Sequence, residues 1–133
     1  MYCVFKTTYG RSFYFCLDRW VAVDIGFVVE ASNNVSPKMW RDLKDIVKRT
    51  VDRYHVAPRS ANVGMITYGN IATMVFDFND RISNNYEVKR VVDKVSLVRG
   101  TPRLDRGLLM ASRFLFTEER GMRRWVPKVR SVL

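Results

Sequence analysis

The chain has 133 residues, of which 47% are hydrophobic and 13% aromatic, with a formal net charge of +10. This length fits one domain with a real core, and the composition excludes an intrinsically disordered chain. No run approaches the roughly 20 apolar residues that a membrane-spanning helix needs. The positive charge favours polyanionic partners without choosing among them, and because acidic residues alternate with the basic ones, an ordinary solvated surface explains it equally well.

Residues 1–20 are aromatic and irregular, and we treat them as an N-terminal extension, either an added strand or a segment foreign to the domain. Cys3 and Cys16 lie in this segment. Their spacing matches no zinc or redox motif, so a disulfide and two free thiols stay equal alternatives. The apolar run at residues 12–17 is short for the core of a signal peptide and is followed by charged residues.

The main domain is predicted over residues 21–133, beginning with a near-continuous apolar run at residues 21–29. Such a run indicates a strand that is buried on both faces. A polar loop follows at residues 30–34, and Ser36 with Pro37 then forms an N-cap and first turn. The following helix is expected to bury one stripe and to carry an i,i+4 pair. The predicted stripe is Trp40, Leu43, Ile46, Val47 and Tyr54, and the predicted pair is Asp45 with Arg49.

Two strands, residues 60–68 and 71–78, are separated only by a short turn at Gly69 and Asn70, which predicts an antiparallel hairpin. A second helix starts near Asn84. A third helix follows, and a β-branched strand begins at Val126. The inward residues expected from helical spacing are Val88, Val91, Val92 and Val95 in the second helix, and Leu104, Leu108, Ala111 and Leu115 in the third.

This order of elements predicts an α/β fold with a mostly parallel sheet, helices on both faces, and one antiparallel edge strand from the hairpin. In such sheets, binding sites lie beyond the carboxyl ends of the strands. The loop at residues 30–34 emerges there.

Four segments of the chain, in a characteristic order and spacing, carry a family resemblance. Residues 24–34 read D-I-G-F-V-V-E-A-S-N-N, which is similar to the Asp-Ile-Val-Phe-Leu-Val strand and Asp-Gly-Ser-x-Ser loop of the von Willebrand factor type A family. Residues 61–69 look like its second strand, and residues 105–108 look like the segment after its threonine loop. Residues 119–129 are similar to the approach to the fourth strand in matrilin and collagen VI domains.

The resemblance implies a Rossmann-like fold with a metal-ion-dependent adhesion site, in which hard oxygen ligands hold Mg²⁺ and a partner's carboxylate completes the shell. The corresponding residues here are Glu30 for the aspartate, Ser32 for the first serine and Asn34 for the second. Pro102 falls at the threonine position, with Thr101 beside it. Two interpretations stay open: a degenerate cation site at Glu30, Ser32, Asn34 and Thr101, or a loop whose polar side chains only satisfy backbone groups.

The resemblance also implies the function, which is an extracellular or secreted protein-binding module for matrix or cell-surface contacts. The family fold continues beyond Leu133, so we expect a domain that lacks its C-terminal strands and helices, as in a fragment. No nucleophile motif or phosphate loop is present, and the lone His55 suits a helix end, so an enzyme is not expected.

The alternative function is binding of sulfated glycans or other polyanions without metal, because arginines cluster late in the chain. Nucleic acid is not expected as the partner. The arginines assigned to this alternative are Arg99, Arg103, Arg106, Arg113, Arg123 and Arg124.

Overall fold

A computed structural model describes residues 2–8, 11–17, 21–80 and 82–133, with only the backbone described for the first two ranges. These residues form six strands and three α-helices, and a π-helical turn and a 3₁₀ turn follow the last helix. The strands are β1 (Tyr2–Thr8), β2 (Arg11–Leu17), β3 (Val23–Glu30), β4 (Ala61–Tyr68), β5 (Ala72–Phe76) and β6 (Lys128–Val132). The helices are α1 (Pro37–Val51), α2 (Asn85–Asp93) and α3 (Leu104–Met110), and the turns are Ala111–Leu115 (π) and Glu118–Arg120 (3₁₀).

The main sheet has four strands in the order β5-β4-β3-β6. Strand β3 is parallel to both β4 and β6, whereas β5 is antiparallel to β4. Every residue of β3 except Glu30 is buried, as expected for a strand covered on both faces. The predicted mostly parallel sheet with one antiparallel edge strand is therefore confirmed.

Helices α1 and α2 cover one face of the sheet. The N-cap is as predicted, because the Ser36 Oγ accepts a hydrogen bond from the Met39 N–H at 3.1 Å. Trp40 is buried in the core, and its indole N–H donates to the Val95 carbonyl at 3.1 Å. Two details predicted for α1 were wrong, one in the buried stripe and one in the ion pair. Ile46 is 43% exposed because the buried stripe runs from Trp40 through Val47 to Val51, and Asp45 pairs with Lys48 rather than with Arg49.

Helix α3 and the π-helical turn cover the other face. The expected inward positions Leu104 and Leu108 are wrong, since they are 42% and 44% exposed. The expected inward positions Ala111 and Leu115 are confirmed, and Gly107 faces the sheet with them in place of the two leucines. The π turn adds a residue to the helical repeat, so the side chains rotate relative to a strict 3.6-residue period. The sheet accommodates this packing with glycines, because a Cβ on Gly26 would lie 2.6 Å from the Phe116 ring, and one on Gly64 would lie 2.6 Å from a Leu115 methyl.

Strands β1 and β2 form an antiparallel two-stranded sheet whose register places Cys3 opposite Cys16. The side chains of this segment lie outside the described residues, so a disulfide and two free thiols both stay predictions. Within the described residues, no helix is both long and apolar enough to cross a bilayer.

Candidate functional site

Strands β3 and β4 end together at one edge of the sheet, because they run parallel. Their following loops, residues 31–35 and 69–71, meet the loop before α3, residues 99–103. We call these three loops the loop edge. Its position matches the expectation that binding sites lie beyond the carboxyl ends of the strands.

Backbone hydrogen bonds lock the loops of the loop edge to one another. The Asn33 N–H donates to the Gly100 carbonyl at 2.9 Å, and the Gly100 N–H donates back to the Asn33 side-chain oxygen at 3.1 Å. The Arg99 N–H donates to the Ala31 carbonyl at 2.6 Å, and the Arg103 N–H donates to the Gly69 carbonyl at 2.9 Å. The segment after β3 and the segment before α3 therefore form one interlocked surface.

A glycine at position 69 is a geometric requirement of this surface. A Cβ at Gly69 would lie 1.8 Å from the Arg99 carbonyl oxygen, which is far inside van der Waals contact. Arg99 itself has φ of 68°, in the left-handed region that residues other than glycine rarely adopt. Such a conformation persists only where its surroundings fix it, and the bond to Ala31 and the close packing on Gly69 do so here.

The four residues predicted for the cation site lie on these loops, but they differ in what they contact. Ser32 is fully buried, and its Oγ accepts a hydrogen bond from the Asn34 N–H at 3.1 Å. Asn34 and Thr101 have exposed side chains. Glu30 is partly buried at the end of β3, opposite Tyr68 in the register. Burial, and after it the negative charge of Glu30, raises the pKa of Tyr68.

The charge on and beside the loop edge is dominated by arginine. Arg103 makes a bidentate contact with Asp105, at 3.0 and 2.8 Å, and this contact lowers the pKa of the Asp105 carboxyl to about 2. Arg106 donates to the Asn70 carbonyl, and Arg99 is exposed. The loop edge and its flanks thus carry the guanidinium groups of Arg99, Arg103 and Arg106 and the carboxylates of Asp105 and Glu30.

The six arginines predicted to bind polyanions do not form one free cluster. Arg103 and Arg124 are paired with Asp105 and Glu118. Arg123 is directed into the domain, where its guanidinium contacts the fully buried Asp24. Among the residues that the structure describes, the exposed members of this set without an ion pair are Arg99, Arg106 and Arg113. Of these, Arg106 already donates a hydrogen bond to the Asn70 carbonyl.

The contact between Asp24 and Arg123 was not predicted from the sequence. Asp24 accepts from the Arg123 N–H at 2.8 Å and from its Nε at 2.9 Å, and the same guanidinium donates to the carbonyls of Val23 and Ser60 at 3.0 and 2.7 Å. This network ties the segment before β6 to the starts of β3 and β4. A single acidic residue inside an apolar strand was the available signal, since a buried carboxylate requires a partner.

The sequence model of the von Willebrand factor type A domain family matches residues 24–133 of this chain. The chain belongs to this family. Human collagen alpha-6(VI) chain is 23% identical over 110 residues, covering 83% of this chain and 5% of the collagen chain. Human von Willebrand factor A domain-containing protein 2 is 24% identical over 115 residues, covering 86% of this chain and 15% of that protein.

Among solved structures, proximal thread matrix protein 1 from the mussel byssus, with a zinc-occupied MIDAS motif, superposes with a TM-score of 0.77. It is 28% identical over 86% of this chain and 29% of that chain. The present chain therefore spans less than a third of the length of each of these relatives. The family assignment and the fold expected from the sequence are confirmed.

The residues at the loop edge do not match the requirements of a resident Mg²⁺. Mg²⁺ favours carboxylate oxygens in a strict octahedron, and here Glu30 is the carboxylate of the predicted set while Pro102 at the threonine position offers no hydroxyl. The Ser32 Oγ is buried and accepts a hydrogen bond from the Asn34 N–H. Arg99 and Arg103 lie on the loops of the loop edge, and their positive charges oppose the binding of a cation there.

Proposed function

We propose that this domain is a non-catalytic binding module for extracellular matrix or cell-surface proteins, and that the loop edge makes the contact without a bound cation. Family membership and the resemblance to a collagen VI chain and a byssal matrix protein support the class of function. The poor fit between Mg²⁺ and the donors present at the loop edge supports the cation-independent contact.

The observation that carries the proposal is the interlocking of the loop edge through Asn33 and Gly100. Binding is tighter when the contacting loops are ordered before the partner arrives, because less conformational entropy is then lost on association. The exposed side chains of Asn34, Arg99 and Thr101 project from this fixed backbone. They can pair with polar groups of a partner while the backbone stays in place.

The excess of arginine at the loop edge favours an acidic group on the partner. In the cation-dependent form of the family site, as the resemblance implies, the metal bridges to a partner's carboxylate. A guanidinium can bind a carboxylate directly and in bidentate geometry. Arg99 is the exposed arginine of the loop edge without an ion pair among the described residues, so it is our candidate for this contact.

The test is binding of the purified domain to immobilised matrix proteins, namely fibrillar collagen, fibronectin and laminin, measured by surface plasmon resonance. Asn33→Ala removes the side-chain bond to Gly100 and is expected to weaken binding by roughly tenfold, through loosening of the loops. Asn79→Ala is the matched control, because Asn79 also joins two segments, through its 2.7 Å bond to the Glu119 carbonyl, but at the opposite edge of the sheet. Equal affinities for the two variants would contradict the assignment of the loop edge as the contact surface.

A further inference from the structure

Helices α1 and α2 pack side by side and leave a groove between them on the surface of the domain. The groove has a volume of about 440 Å³. Its lining residues are Lys48, Tyr86, Lys89, Arg90, Asp93 and Lys94. Four of these six side chains are basic and one is acidic, so the groove carries a concentrated positive charge far from the loop edge in sequence.

This groove continues into a smaller depression on each side. Towards α1, Lys48 and Asp93 are shared with a depression that adds Arg41, Lys44 and Asp45. Along α2, Arg90 and Lys94 are shared with a depression that adds Glu87. We call the whole surface the basic groove. Its charged residues are the basic Arg41, Lys44, Lys48, Lys89, Arg90 and Lys94 and the acidic Asp45, Glu87 and Asp93.

The acidic residues of the basic groove are already engaged within the protein. Asp93 contacts the Lys48 ammonium at 2.8 Å, and Asp45 contacts the same ammonium at 3.1 Å. These bonds, that to Asp93 first, raise the pKa of Lys48. Glu87 accepts hydrogen bonds from the backbone N–H and the hydroxyl of Ser83 at the start of α2. None of the three carboxylates is therefore directed at the remaining cations.

Arg90 and Lys94 are the basic residues of α2 that lack a carboxylate partner among the described residues. They are four positions apart, so their side chains lie on the same side of the helix turn, where like charges destabilise each other. Lys89 next to them is paired with Asp52 at 3.0 Å. A bound anion would relieve the repulsion between Arg90 and Lys94 and would be held by both.

We propose that the basic groove binds a sulfated polysaccharide, with Arg90 and Lys94 as the principal contacts. Guanidinium and ammonium groups are the usual partners of sulfate oxygens, and a groove between two helices suits a linear chain. Nucleic acid is the less favoured polyanion, because single-strand grooves place successive aromatic side chains for base stacking. Among the described lining residues, Tyr86 is the one aromatic side chain of this surface.

This assignment places polyanion binding in the groove between α1 and α2 and not at the late arginines that the sequence indicated. Most of those arginines are held by carboxylates or carbonyls within the domain, whereas Arg90 and Lys94 are not. It is also independent of the proposed function of the loop edge, which lies beyond the strand ends.

The experiment is heparin-affinity measurement at several salt concentrations with the wild-type domain and two charge-matched double variants. Arg90→Gln with Lys94→Gln removes the two free cations of the basic groove. Arg59→Gln with Arg113→Gln removes two exposed arginines elsewhere, one of them from the late cluster. Thermal melting of all three proteins checks that each is folded, and these surface substitutions are expected to leave the melts unchanged.

We expect the slope of log affinity against log salt to fall by about two for the groove variant, with earlier elution from heparin. The control variant should elute close to the wild type. The reverse order would overturn the assignment and return polyanion binding to the late arginines. Equal binding of unsulfated polysaccharide of the same length, or tighter binding of a single-stranded oligonucleotide at the same salt, would also overturn it.

Discussion

The buried contact between Asp24 and Arg123 yields the sharpest prediction for stability. The Asp24 carboxylate is completely buried and accepts two hydrogen bonds from Arg123, one from the backbone and one from the guanidinium. Lys128 lies 3.7 Å from the same carboxylate. Asp24→Asn keeps the shape of the side chain but removes its charge and replaces one acceptor oxygen with a donor group.

The expected cost follows from what the substitution leaves behind. Removing one partner of a buried ion pair costs about 3–5 kcal/mol, because the other charge stays buried without compensation. The Arg123 side chain is 22% exposed, so water can solvate part of it. We therefore expect a loss at the lower end, about 3 kcal/mol. For a domain of this length, that corresponds to a fall in Tm of about 10 °C.

The assay is urea unfolding at neutral pH, followed by tryptophan fluorescence and circular dichroism. Glu118→Gln is the matched control, because it neutralises the carboxylate of an ion pair on the surface. In that pair the Arg124 side chain is 75% exposed and the Glu118 side chain is 59% exposed. We expect the control to change the free energy of unfolding by less than about 1 kcal/mol. A loss of similar size in both variants would refute the view that Asp24 and Arg123 tie the segment before β6 to the sheet.

Two further predictions concern the loop edge. Gly69→Ala forces a Cβ into the neighbouring carbonyl and is expected to cost about 2 kcal/mol or more, measured by the same unfolding assay; a neutral effect would show that the loops are not interlocked as described. Arg103→Gln is expected to return the pKa of Asp105 from about 2 to its ordinary range near 3.9, as followed by NMR titration of the carboxyl carbon. Because this pKa is lowered in the folded state, the contribution of the pair is present above the unfolded value and disappears as the pH falls through the folded value. An unchanged midpoint in Arg103→Gln would show that the contact is not formed in solution.

The fold was predictable because its signals are local. A strand buried on both faces reads as a continuous apolar run, as at residues 21–29, and the short turn at Gly69 allows only an antiparallel partner. The orientation of α3 was not predictable, since the π turn at residues 111–115 breaks the period on which the expected positions of Leu104 and Leu108 depended.

The meeting of the loops could be predicted from the sequence, but the individual bonds within them could not. The order of strands and the family resemblance placed the loops of Ser32 and Thr101 at one edge. One of the two interpretations, in which Ser32 satisfies a backbone group, agrees with its bond from the Asn34 N–H, but the sequence did not identify which N–H it would be. The role of Arg123 was hidden for another reason: its partner Asp24 lies 99 positions earlier in the chain.

The basic groove illustrates the same limit for surfaces. The cations that α1 contributes to the basic groove are Arg41, Lys44 and Lys48, which lie far from α2 in the sequence. Their combination with Arg90 and Lys94 arises only because α1 and α2 pack together. Whether these side chains are free or paired depends on the packed molecule, because a partner such as Asp93 lies 45 positions from Lys48.

The most direct test of the central claim is isothermal titration calorimetry of the domain with Mg²⁺ and, because the byssal relative carries zinc in its MIDAS motif, with Zn²⁺. The wild type is compared with Glu30→Gln, which removes the carboxylate of the predicted ligand set. A contact surface that works without a cation predicts no saturable Mg²⁺ isotherm, and a Zn²⁺ response that is identical in the two proteins. A single-site isotherm for either ion that disappears in Glu30→Gln would contradict the account and restore the loop edge as a metal-dependent adhesion site.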